Sequence, residues 1–296
     1  MNVAVTGASG FLGRYIVNRL TAGGHRCRCW YRPNSDRGGF DEEGLIEWLP
    51  GELNDSASAQ SLVEGVDAVV HCGLHRVGAG FRGAEGDLVE FVEKNVVGTI
   101  RLIEAARRVG VGRFVFIATC AVHEVILEDR PLDEAHPLWA TSHYGAHKAA
   151  VEKFVHSYGL GEGYDICSLR PTGIYGLARP IERSRWHDVV QAVARGEDID
   201  TARGGKEVHA GDVAGAVEIL LTADGIAGQA YNCYDMYVGE QTVAEIAKQI
   251  TGSGSSIVAY NKSPKHQIET GKLRALGMRF GGRALLEETI GQMVSV

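Results

Sequence analysis

Short apolar runs alternate with amphipathic stretches through the first half of the chain, the pattern of strand-helix-strand units wound into a parallel sheet. Val3 to Thr6 reads as a first strand, and Phe11 to Ala22 as a helix with Leu12, Ile16, Val17 and Leu20 on one face. Gly23 and Gly24 end that helix. His25 to Tyr31 reads as a second strand, stopped by the turn-rich YRPNSDRGG. A third strand, Ile46 to Leu49, a helix, Ala57 to Glu64, and a fourth strand, Asp67 to Cys72, complete two rounds of winding. The loop GLHRVGAGFRGAEG at 73–86 then leads to a helix from Asn95 to Val109 and a fifth strand, Arg113 to Ala118. Loops of that length serve function more often than packing.

A further helix over 144–158 and a strand, Ile166 to Leu169, continue the alternation, which breaks down in the irregular RPTGIYGLARP. It resumes with an apolar helix, Val213 to Leu221, and a strand ending near Cys233. The expected fold is α/β: a Rossmann-type doubly wound parallel sheet from 1–170 and 211–235, with a smaller discontinuous C-terminal substrate lobe from 171–210 and 236–296.

With 296 residues, 45% hydrophobic and 23% charged, the chain has the apolar content for a full core, which excludes disorder. A net charge of -7 lacks the basic excess that nucleic acid or an anionic membrane surface demands, so the expected partner is a small molecule. The six cysteines show neither Cys-x-x-Cys nor zinc spacing, and the histidines lack ligand spacing. They read as reduced thiols, with no metal, in a cytoplasmic protein without a leader segment.

After the first strand comes TGASGFLG, with Gly7, Gly10 and Gly13 spaced for a tight turn, a close backbone approach and close helix packing. Such a turn aims a helix N-terminus at a pyrophosphate. Ribose specificity is read at the end of the second strand, where this chain has Trp30, Tyr31, Arg32 and Pro33 and no acid. Arg32 favours NADP over NAD, with Asp36 the later candidate for NAD.

Residues 144–148 read YGAHK, which places Tyr144 and Lys148 on one helix face. A phenol has a reference pKa of about 10, and a neighbouring ammonium is expected to lower it into range for proton transfer to or from a carbonyl oxygen. Thr119, just after the fifth strand, offers a hydroxyl to share a substrate oxygen, and Asn95 lies inside a helix.

These features occur in one order along the chain, together with GELND at 51–55, VDAVVHCG at 66–73, LRPTGIYG at 169–176 and VHAGDVAGAVEILL at 208–221. The chain thereby resembles the extended short-chain dehydrogenase/reductase family, the NAD-dependent epimerase/dehydratase group. The resemblance implies Tyr144 as acid-base residue, Lys148 as the group that holds the nicotinamide ribose, and Thr119 as the hydroxyl positioning the substrate oxygen. It implies cofactor contacts at Gly7, Ser9, Gly10, Phe11, Leu12, Gly13, Glu52, Leu53, Cys72, Gly73 and Pro171, with Asn95 supporting the lysine through water. A homodimer built on the helices near 95–109 and 144–158 is also implied.

Where family members that use nucleotide sugars carry an asparagine and an arginine, this chain has Gly173 and Gly205, with Lys206 or Arg203 as nearby substitutes. CAVHE at 120–124 replaces a serine-rich segment, leaving Cys120, Ala121, His123 and Gly173 as candidate substrate residues. The resulting expectation is an NAD(P)-dependent oxidoreductase moving hydride between nicotinamide and a carbonyl or secondary alcohol of a small polar substrate. The alternatives are a nucleotide-sugar epimerase or dehydratase with tightly bound NAD, and a non-catalytic NADP sensor.

Overall fold

The computed structural model describes residues 1–78, 80, 82–260, 263 and 265–295. They form two compact units, the first made of Met1–Pro171, Val213–Cys233 and Glu269–Met278 and the second of Thr172–Asp212, Tyr234–Ile268 and Arg279–Val296.

The first unit begins with β1 (Asn2–Thr6), α1 (Phe11–Ala22), β2 (Arg26–Tyr31), β3 (Ile46–Pro50), α2 (Ser56–Val63) and β4 (Ala68–His71). Then follow α3 (Leu88–Val92), α4 (Gly98–Arg108), β5 (Arg113–Ile117), α5 (His143–His156) and β6 (Ile166–Pro171). In the second unit come β7 (Gly173–Tyr175), α6 (His187–Ala194) and β8 (Gly204–His209), after which α7 (Ala210–Thr222) and β9 (Gln229–Cys233) return the chain to the first.

The large sheet has the order β3-β2-β1-β4-β5-β6-β9, parallel throughout. Its central strands are apolar and buried along nearly their whole length, as expected of a sheet covered on both faces. Strand order reverses between β1 and β4, and the crevice at the carboxyl ends of such a pair is where open α/β sheets bind ligands. Helices α2, α4 and α5 cover one face, burying Leu62, Leu102, Ile103, Val151 and Val155 against Val69, Phe114 and Phe116. The Rossmann-type architecture read from the alternation is the observed one.

The helix expected from Asn95 starts instead at Leu88, capped by Asp87, whose carboxylate accepts the Glu90 amide at 2.8 Å. Between α3 and α4, residues Glu93–Val97 form a π-helical turn. Within it the Asn95 Nδ2 donates to Phe91 O at 2.9 Å, occupying the carbonyl that the next α-helical rung would use.

The second unit also carries β10 (Met236–Gly239), α8 (Glu240–Thr251) and α10 (Gly282–Val294), and its small sheet runs β10-β8-β7. Tyr175, Trp186, Val190, Val243, Ile246, Leu286 and Ile290 form its core. Glu269–Met278, which includes α9 (Gly271–Ala275), belongs to the first unit and not to the lobe expected over 236–296. Polar bonds tie it there: Glu269 N donates to Leu132 O at 3.0 Å, and Lys272 Nζ to Gln229 Oε1 at 2.6 Å. Among the described residues no helix is long and apolar enough to cross a membrane.

Candidate active site

The turn after β1 is built by backbone crowding. Gly7 sits at φ +70, and a Cβ there would lie 2.9 Å from Cys72 O and Gly73 N, so β1 and the end of β4 meet through glycine. A Cβ on Gly13 would lie 2.1 Å from Gly7 O, which explains the third glycine as a packing requirement. Gly10 caps α1 without a side-chain bond, so the amides of Phe11 and Leu12 have neither a helical acceptor nor a capping oxygen. Ser9 stands half-buried beside them. At the end of β2, Arg32 is exposed, while Asp36 pairs with Arg14 at 3.1 Å. Leu53 packs on the core, and Glu52 is exposed next to it.

Beyond β4 one run of hydrogen bonds orders the backbone. Thr99 Oγ1 donates to Asn95 O at 2.6 Å, so its proton is engaged and it must accept from His71 Nε2 at 2.9 Å. That leaves His71 Nδ1 unprotonated, the acceptor for Thr6 Oγ1 at 2.6 Å, and Thr6 Oγ1 in turn accepts Gly73 N–H at 3.0 Å. Burial pushes His71 down to about 3, so the ring stays neutral and the direction of the run is fixed. Thr99→Val leaves the buried Nε2–H without an acceptor. A loss of about 1–3 kcal/mol is expected in urea unfolding; an unchanged midpoint would refute the assigned tautomer. Asn95 Oδ1 accepts His75 N at 2.8 Å and Nδ2 donates to His75 O at 3.0 Å, clamping the glycine-rich loop.

Thr119 follows β5 directly, buried, with Oγ1 accepting the Ala121 amide at 3.1 Å. Its hydroxyl lies close enough to Tyr144, in the first turn of α5, to favour the phenolate. Lys148, one turn on, is buried and donates to Ile117 O at 2.7 Å; burial brings it down to about 8. The structure corrects the expected depression of the phenol. Burial holds Tyr144 above its ordinary range, against the lowering effects of Thr119 and Arg76, because the Lys148 ammonium is turned to a backbone carbonyl. Gly145 between them is obligatory, since a Cβ would come within 2.7 Å of Ala121 O.

Residues 3–233 match the family described as "NAD dependent epimerase/dehydratase family". The chain belongs to this family. It is 27% identical over 190 residues to the UDP-glucose 4-epimerase of Rhizobium meliloti, a match covering 63% of this chain and 56% of the relative. It is 29% identical over 180 residues to the 3-beta-hydroxysteroid dehydrogenase of Mycolicibacterium neoaurum, covering 59% and 48%. The chain thus spans about half the length of these curated relatives. The crystal structure of Thermus thermophilus UDP-glucose 4-epimerase in complex with NAD superposes with a TM-score of 0.78 at 24% identity, covering 100% of this chain and 98% of that one, which establishes the fold.

The loop after Thr119 is tied back into the protein by hydrogen bonds to Arg170 and Pro137. Cys120 donates its thiol to Arg170 O at 2.9 Å. His123, one of the candidate substrate residues, has both ring nitrogens engaged within the protein. Nε2 accepts from Arg170 Nη1 at 3.2 Å, which makes Nδ1 the donor to Pro137 O at 3.3 Å. Burial and the Arg170 charge bring it down to about 4, so it is a neutral structural ring. Sequence reasoning missed its neighbour Glu124. That carboxylate accepts Ser142 N at 2.7 Å and Ser142 Oγ at 3.0 Å, and also Thr141 N and Arg82. It therefore fixes the start of α5, and with it Tyr144. A glutamate in a loop carries no periodic signal; only its place beside an N-cap serine gives it this function. Pro171, at the end of β6, is buried and paired with Cys233. Gly173 lies in the second unit, at the start of β7.

Proposed function

We propose that this protein is an NAD(P)-dependent oxidoreductase that interconverts a carbonyl and a secondary alcohol on a small polar substrate. The observation that carries this reading is the nearness of the Thr119 hydroxyl to the Tyr144 phenol, with buried Lys148 one helical turn away. A substrate oxygen placed between the two hydroxyls would take the Tyr144 proton as it gains hydride, and Thr119 would hold it in line. Tyr144 is disposed to be neutral in the free protein, the state needed to donate. Lys148, still mostly charged at neutral pH, would hold ribose hydroxyls and stabilise the phenolate once the proton has left.

The glycine turn suits a dinucleotide. Crowding at Gly7 and Gly13 leaves no room for side chains, and the uncapped amides of Phe11 and Leu12 offer donors to a pyrophosphate. In this reading Gly7, Ser9, Gly10, Phe11, Leu12 and Gly13 hold the pyrophosphate, Glu52 and Leu53 flank the adenine, and Cys72, Gly73, Lys148 and Pro171 line the nicotinamide half. When bound, the nicotinamide supplies or receives the hydride.

NADP is favoured because Asp36, the acid that could hold ribose hydroxyls, is paired with Arg14, while Arg32 is exposed at the end of β2. Arg32→Ala is expected to weaken NADPH binding about tenfold or more, with NADH affinity within about twofold. Equal losses for both would withdraw the assignment of Arg32 to a 2′-phosphate. The second reading, an epimerase or dehydratase with resident NAD, is supported by the similarity to the R. meliloti epimerase. NAD that copurifies, with no net NADPH consumption on any carbonyl substrate, would favour that reading. The implied homodimer is part of the same proposal, and exposed Val97 and Phe154 on the two helices concerned favour it.

A further inference from the structure

In the second unit β7 and β8 run parallel with Gly173 opposite Glu207 and Tyr175 opposite His209. Because side chains alternate along a strand, Gly173, Tyr175, Gly205, Glu207 and His209 share one face, and Lys206 lies on the other. Glu207 is 1% exposed. Its Oε1 accepts from Arg185 Nη2 at 2.6 Å, while its Oε2 is buried and has no hydrogen-bond partner. On the same face the Tyr175 hydroxyl is also buried and unpartnered, near enough to Glu207 to feel its charge.

The carboxylate occupies space that two glycines provide. A Cβ on Gly173 would lie 2.4 Å from Oε2, and one on Gly205 would lie 2.5 Å from Oε1. Larger side chains at 173 and 205 are incompatible with Glu207 in this position. A buried acceptor without a donor is costly, and a water, an ion or a ligand group is what completes it. Two of them on one face of a small sheet point the same way. Burial also pushes the Glu207 carboxyl up to about 7, against the pull of Arg185, as expected of an acceptor short of donors.

We propose that this face of β7 and β8 is a recognition subsite for an amine or hydroxyl of the substrate, with Glu207 as its acceptor, and that it rejects a diphosphate. Arg185 is bonded to Glu207, so its charge is offset to the extent that Glu207 is ionised, which reduces what the face offers an anion. Arg203 precedes the first residue of β8, four residues from Glu207 and about 13 Å along an extended strand. A ligand ammonium or hydroxyl would instead complete Oε2 with a bond to a charged acceptor. The inference rests on the reading of this chain as an oxidoreductase acting on a small polar substrate.

The test uses two probes, D-glucosamine and UDP, titrated by calorimetry into NADPH-saturated protein. Glucosamine is expected to bind the wild type, and Glu207→Gln to weaken it at least about tenfold, while UDP gives no saturable heat up to about 1 mM. Gly173→Ala retains the carboxylate but displaces Oε2, and it is expected to weaken glucosamine as well. That variant decides the matter if Glu207→Gln melts at a lower temperature than the wild type. Wild-type protein that takes up UDP, or that binds glucosamine no better than the variants, overturns the subsite. NADPH binding, recorded in the same series, separates the two levels. Its loss would sink the oxidoreductase reading, whereas NADPH binding together with UDP binding would sink the subsite alone.

Discussion

Tyr144→Phe is expected to lower turnover about 10³-fold while nicotinamide affinity stays within about twofold. The variant removes only the hydroxyl near Thr119 and leaves the ring against His147, at 5.4 Å between centroids, so α5 keeps its packing. The pH profile follows from the same geometry. Carbonyl reduction needs a protonated phenol, and the raised Tyr144 value keeps that form populated through neutrality. Lys148 loses its charge as pH rises through about 8, so reduction is expected to fall off on the alkaline side from there. In the fold Lys148 binds fewer protons between about 8 and the ordinary 10.5 than in the unfolded chain, so its desolvation penalty on stability fades as pH rises through that window. A Tyr144→Phe enzyme with more than about a tenth of wild-type turnover would remove the phenol from the proton path.

The largest effect on stability is expected at Glu152. Its side chain is 0% exposed and that of its partner Arg170 is 1% exposed, with Nη2 donating at 2.6 Å and Nε at 2.8 Å. Arg170 also reaches Glu134 O and His123 Nε2 at 3.2 Å, so it ties α5 and β6 to the segment after β5. Glu152→Ala strands a buried guanidinium, and a loss of about 3–5 kcal/mol in urea unfolding is expected. The double variant Glu152→Leu with Arg170→Met should recover much of that loss, because two apolar side chains need no partner. A single-variant loss under about 1 kcal/mol would mean that water or rearrangement already relieves the charge.

Much of the sheet was legible because its signals are local. A fully buried strand such as Val3 to Thr6 is apolar at every position but the last, and α1 begins and ends where Gly10 and Gly23 dictate. The helix ahead of Asn95 was not, since its start depends on the Asp87 cap and its π-helical turn on a side-chain amide bonding Phe91 O. Neither alters the hydrophobic period. The candidate site divides in the same way. Spacing brings Tyr144 and Lys148 onto one face, and order along the chain adds Thr119. Proton states are tertiary properties, however. That Lys148 turns to Ile117 O, that His123 is closed off by Arg170, and that Glu207 fills the space beside Gly173 and Gly205 depend on residues distant in sequence. The excursion of Glu269–Met278 into the first unit is a further case, made by a few polar bonds.

The most direct measurement is calorimetric titration of the purified protein with NADP+, NADPH, NAD+ and NADH, after its absorption spectrum has been checked for a resident cofactor. The account requires saturable binding of NADPH, tighter than NADH, to protein that arrives without nicotinamide. Protein that binds none of the four and carries none would contradict the assignment of the glycine turn and of the Thr119, Tyr144 and Lys148 site alike.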